Sequence, residues 1–191
     1  VISKLIYPET EDTKTIDDLN LNIKKDSENA MDALGKGATD GLKLAANIGA
    51  MLIAFISILS MVNYTLDYVF QINLQEILGY VFAPLAWMMG IPWEEANMVG
   101  RLMGEKIVLT ELIAYGTLGD LINNNMISDR SAIIASYALC GFANFGSIGI
   151  QLGGIGSIAP QKRNILSQIA LKAMIGGALA SWLTATIAGI L

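Results

Sequence analysis

The amino-acid sequence predicts an all-α, polytopic membrane protein, and three observations support this fold class. The 191 residues are 53% hydrophobic and only 15% charged, which is too apolar for a typical water-soluble domain. Charged side chains are absent from four stretches, at residues 44–66, 77–93, 131–161 and 173–191. A bilayer core of about 30 Å requires roughly 20 helical residues, so several of these stretches are long enough to cross it.

Composition also excludes several classes of function. The net charge of -5 comes largely from acidic residues in the first third of the chain, and no basic cluster exceeds the pairs Lys24–Lys25 and Lys162–Arg163. We therefore expect no nucleic-acid partner. The chain has no histidine and one cysteine, Cys140, which excludes imidazole catalysis, Cys/His metal sites and an intrachain disulfide.

The N-terminal segment predicts that the chain is the C-terminal part of a longer protein. Residues 1–7 resemble the end of a preceding transmembrane helix that stops at Pro8, and they lack the features of a signal peptide. Residues 8–28 are polar and acidic without apolar periodicity, which predicts a solvated linker.

Residues 29–68 predict an amphipathic foot that continues into a long transmembrane helix. Ser27 and Asn29 are candidate N-caps. A polar stripe follows at spacings of three or four residues, formed by Asp32, Lys36, Asp40 and Lys43. The two lysines of the stripe precede a long region without Lys or Arg, so the positive-inside rule places this end of the helix in the cytoplasm.

The next two segments are each too short for simple spanning helices. Residues 74–92 contain Pro84 and several aromatic residues, which favours an interfacial helix. Residues 94–129 divide into two half-helices around an apolar break at 107–110, which predicts a re-entrant hairpin. Such a hairpin is stable at membrane depth only where its backbone is buried in protein or faces a watery cavity.

The last third of the chain predicts one interrupted and one regular transmembrane helix. Residues 130–160 are rich in glycine, which permits unwinding and frees backbone groups for a ligand. Residues 162–191 predict the last transmembrane helix, with small residues suited to close packing. Lys172 is expected to extend its ammonium to the interface rather than to join a site.

Glu111 is the strongest single candidate for a functional residue. A carboxylate between apolar residues at membrane depth is costly unless it faces water or a partner. A structural interpretation stays open, in which Glu111 bonds to Lys106 or to a helix end.

A second candidate cluster lies in the segment 141–147, GFANFGS. Asn144 and Ser147 offer an amide and a hydroxyl, and Phe142 and Phe145 offer aromatic rings. Carboxylate and amide groups can bind ribose hydroxyls while a ring covers an apolar face. The alternative is that these polar groups tie neighbouring helices together and the rings serve packing.

Three blocks of sequence resemble the concentrative nucleoside transporters: VLTELIAY at 108–115, YALCGFANFGSIGIQLGGIGSIAP at 137–160 and ATDGLKLAANIGAMLIAF at 38–55. The resemblance covers essentially the whole chain, which would form the C-terminal half of such a transporter. The hairpin block departs from the family's common Asn-Glu-Phe-Val-Ala-Tyr, and Gly146 stands where a serine is often found.

This resemblance implies a cation-coupled nucleoside symporter that works by alternating access as a homotrimer in the cytoplasmic (inner) membrane. The long helix would be scaffold, and Glu111, Phe142, Asn144 and Ser147 would bind the nucleoside between hairpin and interrupted helix. It implies sodium as the coupling ion, bound in the missing N-terminal half and not by a metal site in these residues. Proton coupling, a channel or pore subunit, and a transporter of another polar small molecule stay open as alternatives; a membrane-embedded enzyme is not expected.

Overall fold

Helices are the only regular secondary structure in the described part of the chain, which confirms the all-α fold class. A computed structural model describes residues 1–8 and 28–191, apart from the side chain of Ser157, and contains no strand among them. Of the predicted acidic linker at residues 8–28, all but Pro8 and Glu28 lie outside the described residues.

Eight α-helices follow one another along the described chain, with a short 3-10 turn at Pro160–Lys162 before the last. They are α1 (Ile2–Ile6), α2 (Ala30–Phe70), α3 (Leu74–Met88), α4 (Trp93–Val108), α5 (Glu111–Asn123), α6 (Asp129–Leu139), α7 (Phe145–Ile158) and α8 (Arg163–Ile190). The membrane depth of each helix, including the interfacial and re-entrant assignments, stays a prediction.

Helix α2 is long and largely exposed, and it packs mainly against α7. It begins directly after its N-cap residue Asn29, whose Oδ1 accepts a hydrogen bond of 2.9 Å from the Asp32 N–H. It ends at its C-cap residue Gln71, which has a left-handed backbone conformation with φ 55°. Its 41 residues include no buried side chain. At 1.5 Å per residue such a helix is about 60 Å long, roughly twice the thickness of the hydrocarbon core.

The tightest helix pair is α3 with α4, which the sequence did not predict. A Cβ on Gly100 would lie 2.5 Å from the carbonyl oxygen of Gly79 and 2.8 Å from the N atom of Ala83. Only glycine permits this approach of two backbones. The core of the molecule gathers around this contact, with Val99, Leu102 and Met103 fully buried.

Helix α8 closes the other side of the core with small residues. It buries Ala170, Ala178, Ala185 and Gly189, and it packs against α6 and α7. In the described part of the chain, two helical segments are long and apolar enough to cross a membrane: α2, and the segment Pro160–Ile190 that contains α8.

Candidate functional site

The polypeptide leaves helical conformation between α6 and α7, at residues 140–144 (hereafter the break). Gly141 has φ +111°, a left-handed conformation that glycine adopts without strain. A Cβ there would also lie 2.6 Å from Ser181 Oγ, so a side chain at this position would force Ser181 to change rotamer.

The other glycines of this segment do not unwind the chain, contrary to the expectation from composition. Helix α7 is continuous from Phe145 to Ile158. Gly149 instead lets α7 approach α2, because a Cβ there would lie 3.0 Å from the Phe55 ring. Gly146 likewise lies close to Leu52 of α2, and the interruption is confined to the break.

Asn144 begins α7 and is almost completely buried, with 1% of its surface exposed. Its Oδ1 accepts a hydrogen bond of 2.7 Å from the Ser147 N–H. In return, the Ser147 hydroxyl donates to the Asn144 carbonyl oxygen at 2.6 Å and accepts from the Asn144 N–H at 3.2 Å. This reciprocal cap satisfies donors at the start of α7 that have no partner within the helix.

Glu111 lies at the start of α5, behind its N-cap residue Thr110. Its half-buried carboxylate faces the break, where Asn144 Nδ2 donates to Glu111 Oε2 at 2.8 Å. The structure therefore joins Glu111, Asn144 and Ser147 in one hydrogen-bonded chain that links α5 to α7. No other hydrogen bond to this carboxylate occurs among the described residues, so Oε1 keeps its acceptor capacity.

Phe142 lies within the break, two residues before Asn144. Its side chain is 51% exposed, unlike the polar residues beside it. An exposed aromatic ring next to a carboxylate and an amide can cover the flat face of a ligand. All four residues predicted from the sequence thus lie on or against the break.

Lys106 is a residue of this region whose contacts sequence reasoning missed. Its side chain is 1% exposed, and its ammonium donates to the carbonyl oxygens of Ala138 at 3.0 Å and Cys140 at 3.3 Å. The alternative pairing of Glu111 with Lys106 is not observed, since no ion pair within 4.0 Å joins the two residues where the structure is described. The available signal was a lysine that directly precedes the apolar segment 107–110.

Tyr115 adds a further link between the half-helices. Its hydroxyl donates to the Ser136 carbonyl oxygen at 2.7 Å, which ties α5 to the last turn of α6. The pair α4–α5 therefore contacts both sides of the break through hydrogen bonds.

The described ranges, 1–8 and 28–191, contain no group of three or more His, Cys, Asp or Glu side chains that could hold a metal ion. The sodium site implied by the resemblance was expected in the N-terminal half. That location stays a prediction.

Half-helices that meet at a polar cluster within a helical membrane protein are typical of secondary transporters with discontinuous helices. Residues 1–189 match the family described as the Na+ dependent nucleoside transporter C-terminus. The chain belongs to this family, which confirms the resemblance found in the sequence.

Relatives from bacteria and mammals share the whole length of the chain. The uncharacterized transporter YutK of Bacillus subtilis is 44% identical over 100% of this chain and 48% of its own length. Nucleoside permease NupC of Helicobacter pylori is 37% identical over 100% of this chain and 47% of its own. Solute carrier family 28 member 3 of Mus musculus is 40% identical over 100% of this chain and 30% of its own. The chain thus spans half or less of these relatives, all named as transporters rather than enzymes.

Solved structures of the transporter CNTnw share the fold. An outward-facing double variant matches 99% of this chain and 46% of its own with a TM-score of 0.86 and 36% identity. An inward-facing substrate-bound structure matches 98% of this chain and 46% of its own with a TM-score of 0.74 and 39% identity. The polytopic transporter fold class is therefore confirmed.

Proposed function

We propose that this chain is the C-terminal half of a cation-coupled nucleoside symporter, a multi-pass protein of the cytoplasmic (inner) membrane. The nucleoside binds at the break, with its ribose between α5 and α7, and transport proceeds by alternating access. Relatives named as sodium/nucleoside cotransporter 1 of Rattus norvegicus and nucleoside permease NupC support a nucleoside substrate. Sodium is the proposed coupling ion, and a homotrimer is the proposed assembly.

The observation that carries this proposal is the 2.8 Å hydrogen bond from Asn144 Nδ2 to Glu111 Oε2. It places a carboxylate and an amide from two different helical pairs at one point. Vicinal hydroxyls are donors and acceptors at once, so they match an anionic acceptor beside an amide. A ribose can therefore replace its water shell with protein hydrogen bonds at this place.

The burial of each side chain supports a different proposed role for it. Glu111 is half-buried and offers Oε1 to a hydroxyl of the ligand. Phe142 is exposed and covers one face of the base. Ser147 is 2% exposed and already donates its hydroxyl proton to the Asn144 carbonyl, so it holds Asn144 and has only acceptor capacity left for ribose.

The helix termini make the same place suitable for a polar ligand. The break ends α6 and begins α7, so peptide carbonyls and amides without helical partners lie close together there. A transporter needs such groups to exchange between protein and ligand contacts during each cycle. A regular helix has none to offer.

The test is uptake by the full-length protein with Glu111→Gln. This variant keeps the size of the side chain and one carbonyl oxygen but loses the charge, so uptake of labelled uridine and adenosine should fall by roughly 10- to 100-fold. Glu94→Gln, an identical change at an exposed glutamate of α4, is the matched control and should transport normally. Uptake by Glu111→Gln equal to the control, at equal membrane expression, would exclude Glu111 from the site.

The coupling ion is tested in the same assay. Replacement of sodium by choline at two pH values should abolish concentrative uptake at both. Uptake that instead persists without sodium and rises at the lower pH would assign coupling to protons.

A further inference from the structure

Lys106 is a buried cation that the proposed ribose contacts do not use. It lies in the last turn of α4 and is 1% exposed, whereas the side chains of Arg101 on the same helix and Lys172 on α8 are exposed. A lysine is rarely buried to this extent unless its ammonium has defined partners.

Its partners are the backbone carbonyls on the α6 side of the break. The ammonium donates to Ala138 O at 3.0 Å and Cys140 O at 3.3 Å. The last carbonyls of a helix have no partner in the next turn and carry partial negative charge. Lys106 therefore supplies donors and positive charge where α6 ends.

Glu111 makes the opposite contact on the α7 side. Its carboxylate accepts a hydrogen bond from the Nδ2 of Asn144, the N-cap of α7. The start of a helix carries partial positive charge, which an anion stabilises. A cation thus meets the negative end of one half-helix and an anion meets the positive end of the next, and both charges come from the connected pair α4–α5.

We propose that Lys106 is a positioning residue that holds the carbonyl side of the break, so that Phe142 and Asn144 are presented to the ligand opposite Glu111. This inference deepens the proposed function and rests on it for the nature of the ligand. Lys106 itself does not contact the nucleoside. Its effect on binding passes through the backbone of residues 138–140.

Substitutions of Lys106 can show whether its side chain only fills space or is needed as a hydrogen-bond donor. Methionine is close to lysine in length and volume but has no N–H, so Lys106→Met keeps the space filled and removes both hydrogen bonds. Lys106→Arg keeps the charge and the donors. If only volume matters, Met should behave like lysine; if the donors matter, Arg should resemble wild type more than Met does.

The first measurement uses Cys140, an exposed thiol that lies in the break itself. In the full-length protein, the rate of maleimide modification of Cys140 is followed by mass spectrometry of the peptide that contains it. The rate is taken from the plateau of a pH series, so that it reports accessibility rather than thiol ionisation. Lys106→Met should raise this rate about tenfold, the expected scale for loss of hydrogen bonds to a charged donor. Lys106→Arg should stay closer to the wild-type rate. Lys172→Met, an identical change at an exposed lysine, should leave the rate unchanged.

The second measurement is uridine uptake by the same proteins. Lys106→Met should raise the KM about tenfold, because the contact residues are present but no longer held in place. If Lys106→Met does not reach the membrane, Lys106→Leu, which also has no N–H, takes its place in both assays and should shift both in the same direction.

The two readouts separate this inference from the proposed function. Faster modification of Cys140 in a protein that does not transport nucleosides would support the role of Lys106 in the break and refute the nucleoside assignment. Equal modification rates in wild type and the neutral variant, or equal effects of Met and Arg on uptake, would overturn the positioning role.

Discussion

Two non-helical segments differ in how their polar groups are hydrogen-bonded: the turn between α4 and α5, and the break between α6 and α7. The turn consists of Leu109 and Thr110, and its cap is a single long hydrogen bond of 3.4 Å from the Ile113 N–H to Thr110 Oγ1 at an exposed position. The break is longer, and its cap residue Asn144 is buried and makes a reciprocal pair with Ser147.

The turn is largely self-contained, whereas the break depends on neighbouring elements. Lys106 and Glu111 lie on either side of the turn, and both direct their polar groups to the break. The comparison shows that the hairpin-like pair α4–α5 stabilises an irregular backbone segment elsewhere in the chain. The turn thus has only a weak cap of its own, whereas the break combines a buried cap with hydrogen bonds from Lys106 and Glu111.

The largest loss of stability and of uptake is expected from Asn144→Ala. The change removes the cap of α7 and leaves the buried Ser147 N–H and the half-buried Glu111 carboxylate without their partner. We expect destabilisation by about 2 kcal/mol or more and loss of most nucleoside uptake. Thermal unfolding of the purified full-length protein and uridine uptake measure the two effects. Retention of wild-type stability would show that the break does not depend on its cap.

A smaller effect is expected from Ser147→Ala. The Asn144 side chain can still accept from the backbone N–H of residue 147, so only the reciprocal half of the cap is lost. We expect a cost of about 1 kcal/mol, with uptake reduced less than in Asn144→Ala. The same unfolding assay applies, and the opposite order of the two variants would contradict the assignment of Asn144 as the principal cap.

The smallest effect is expected from Thr110→Ala at the turn. A hydrogen bond of 3.4 Å at an exposed position contributes little, so the cost should be about 0.5 kcal/mol or less. Uptake should be close to wild type, provided that Glu111 keeps its position. A loss as large as that of Asn144→Ala would show that the turn and the break are equally dependent on their caps.

Patterns within short stretches of sequence, such as hydropathy and capping residues, predicted much of this architecture. The apolar stretches predicted helices, Asn29 was one of two candidate caps for α2, and the isolated Glu111 drew attention because of its apolar neighbours. The glycine-rich segment predicted an interruption, but most of its glycines lie in α7. Composition alone does not distinguish a glycine that unwinds a helix, such as Gly141, from one that admits a neighbour, such as Gly149.

Contacts between residues far apart in the sequence could not be predicted from such short-range patterns. The carbonyl partners of Lys106 lie 32 and 34 residues further along the chain, and they become acceptors only because α6 ends where it does. The close contact of Gly79 with Gly100 likewise depends on the crossing of two helices. The grouping of Glu111 with Asn144 was expected only through the family resemblance.

The backbone contacts of α3 have a mechanical consequence. Its Gly79 carbonyl lies against Gly100 of α4, and a Cβ on Gly189 of α8 would lie 2.4 Å from the carbonyl oxygen of Met89. Contacts between main chains have no rotamers through which they can relax, so these three helices cannot slide past one another by small side-chain adjustments. Any large rearrangement of this protein should carry them together as a rigid unit and concentrate bending in the segments outside it.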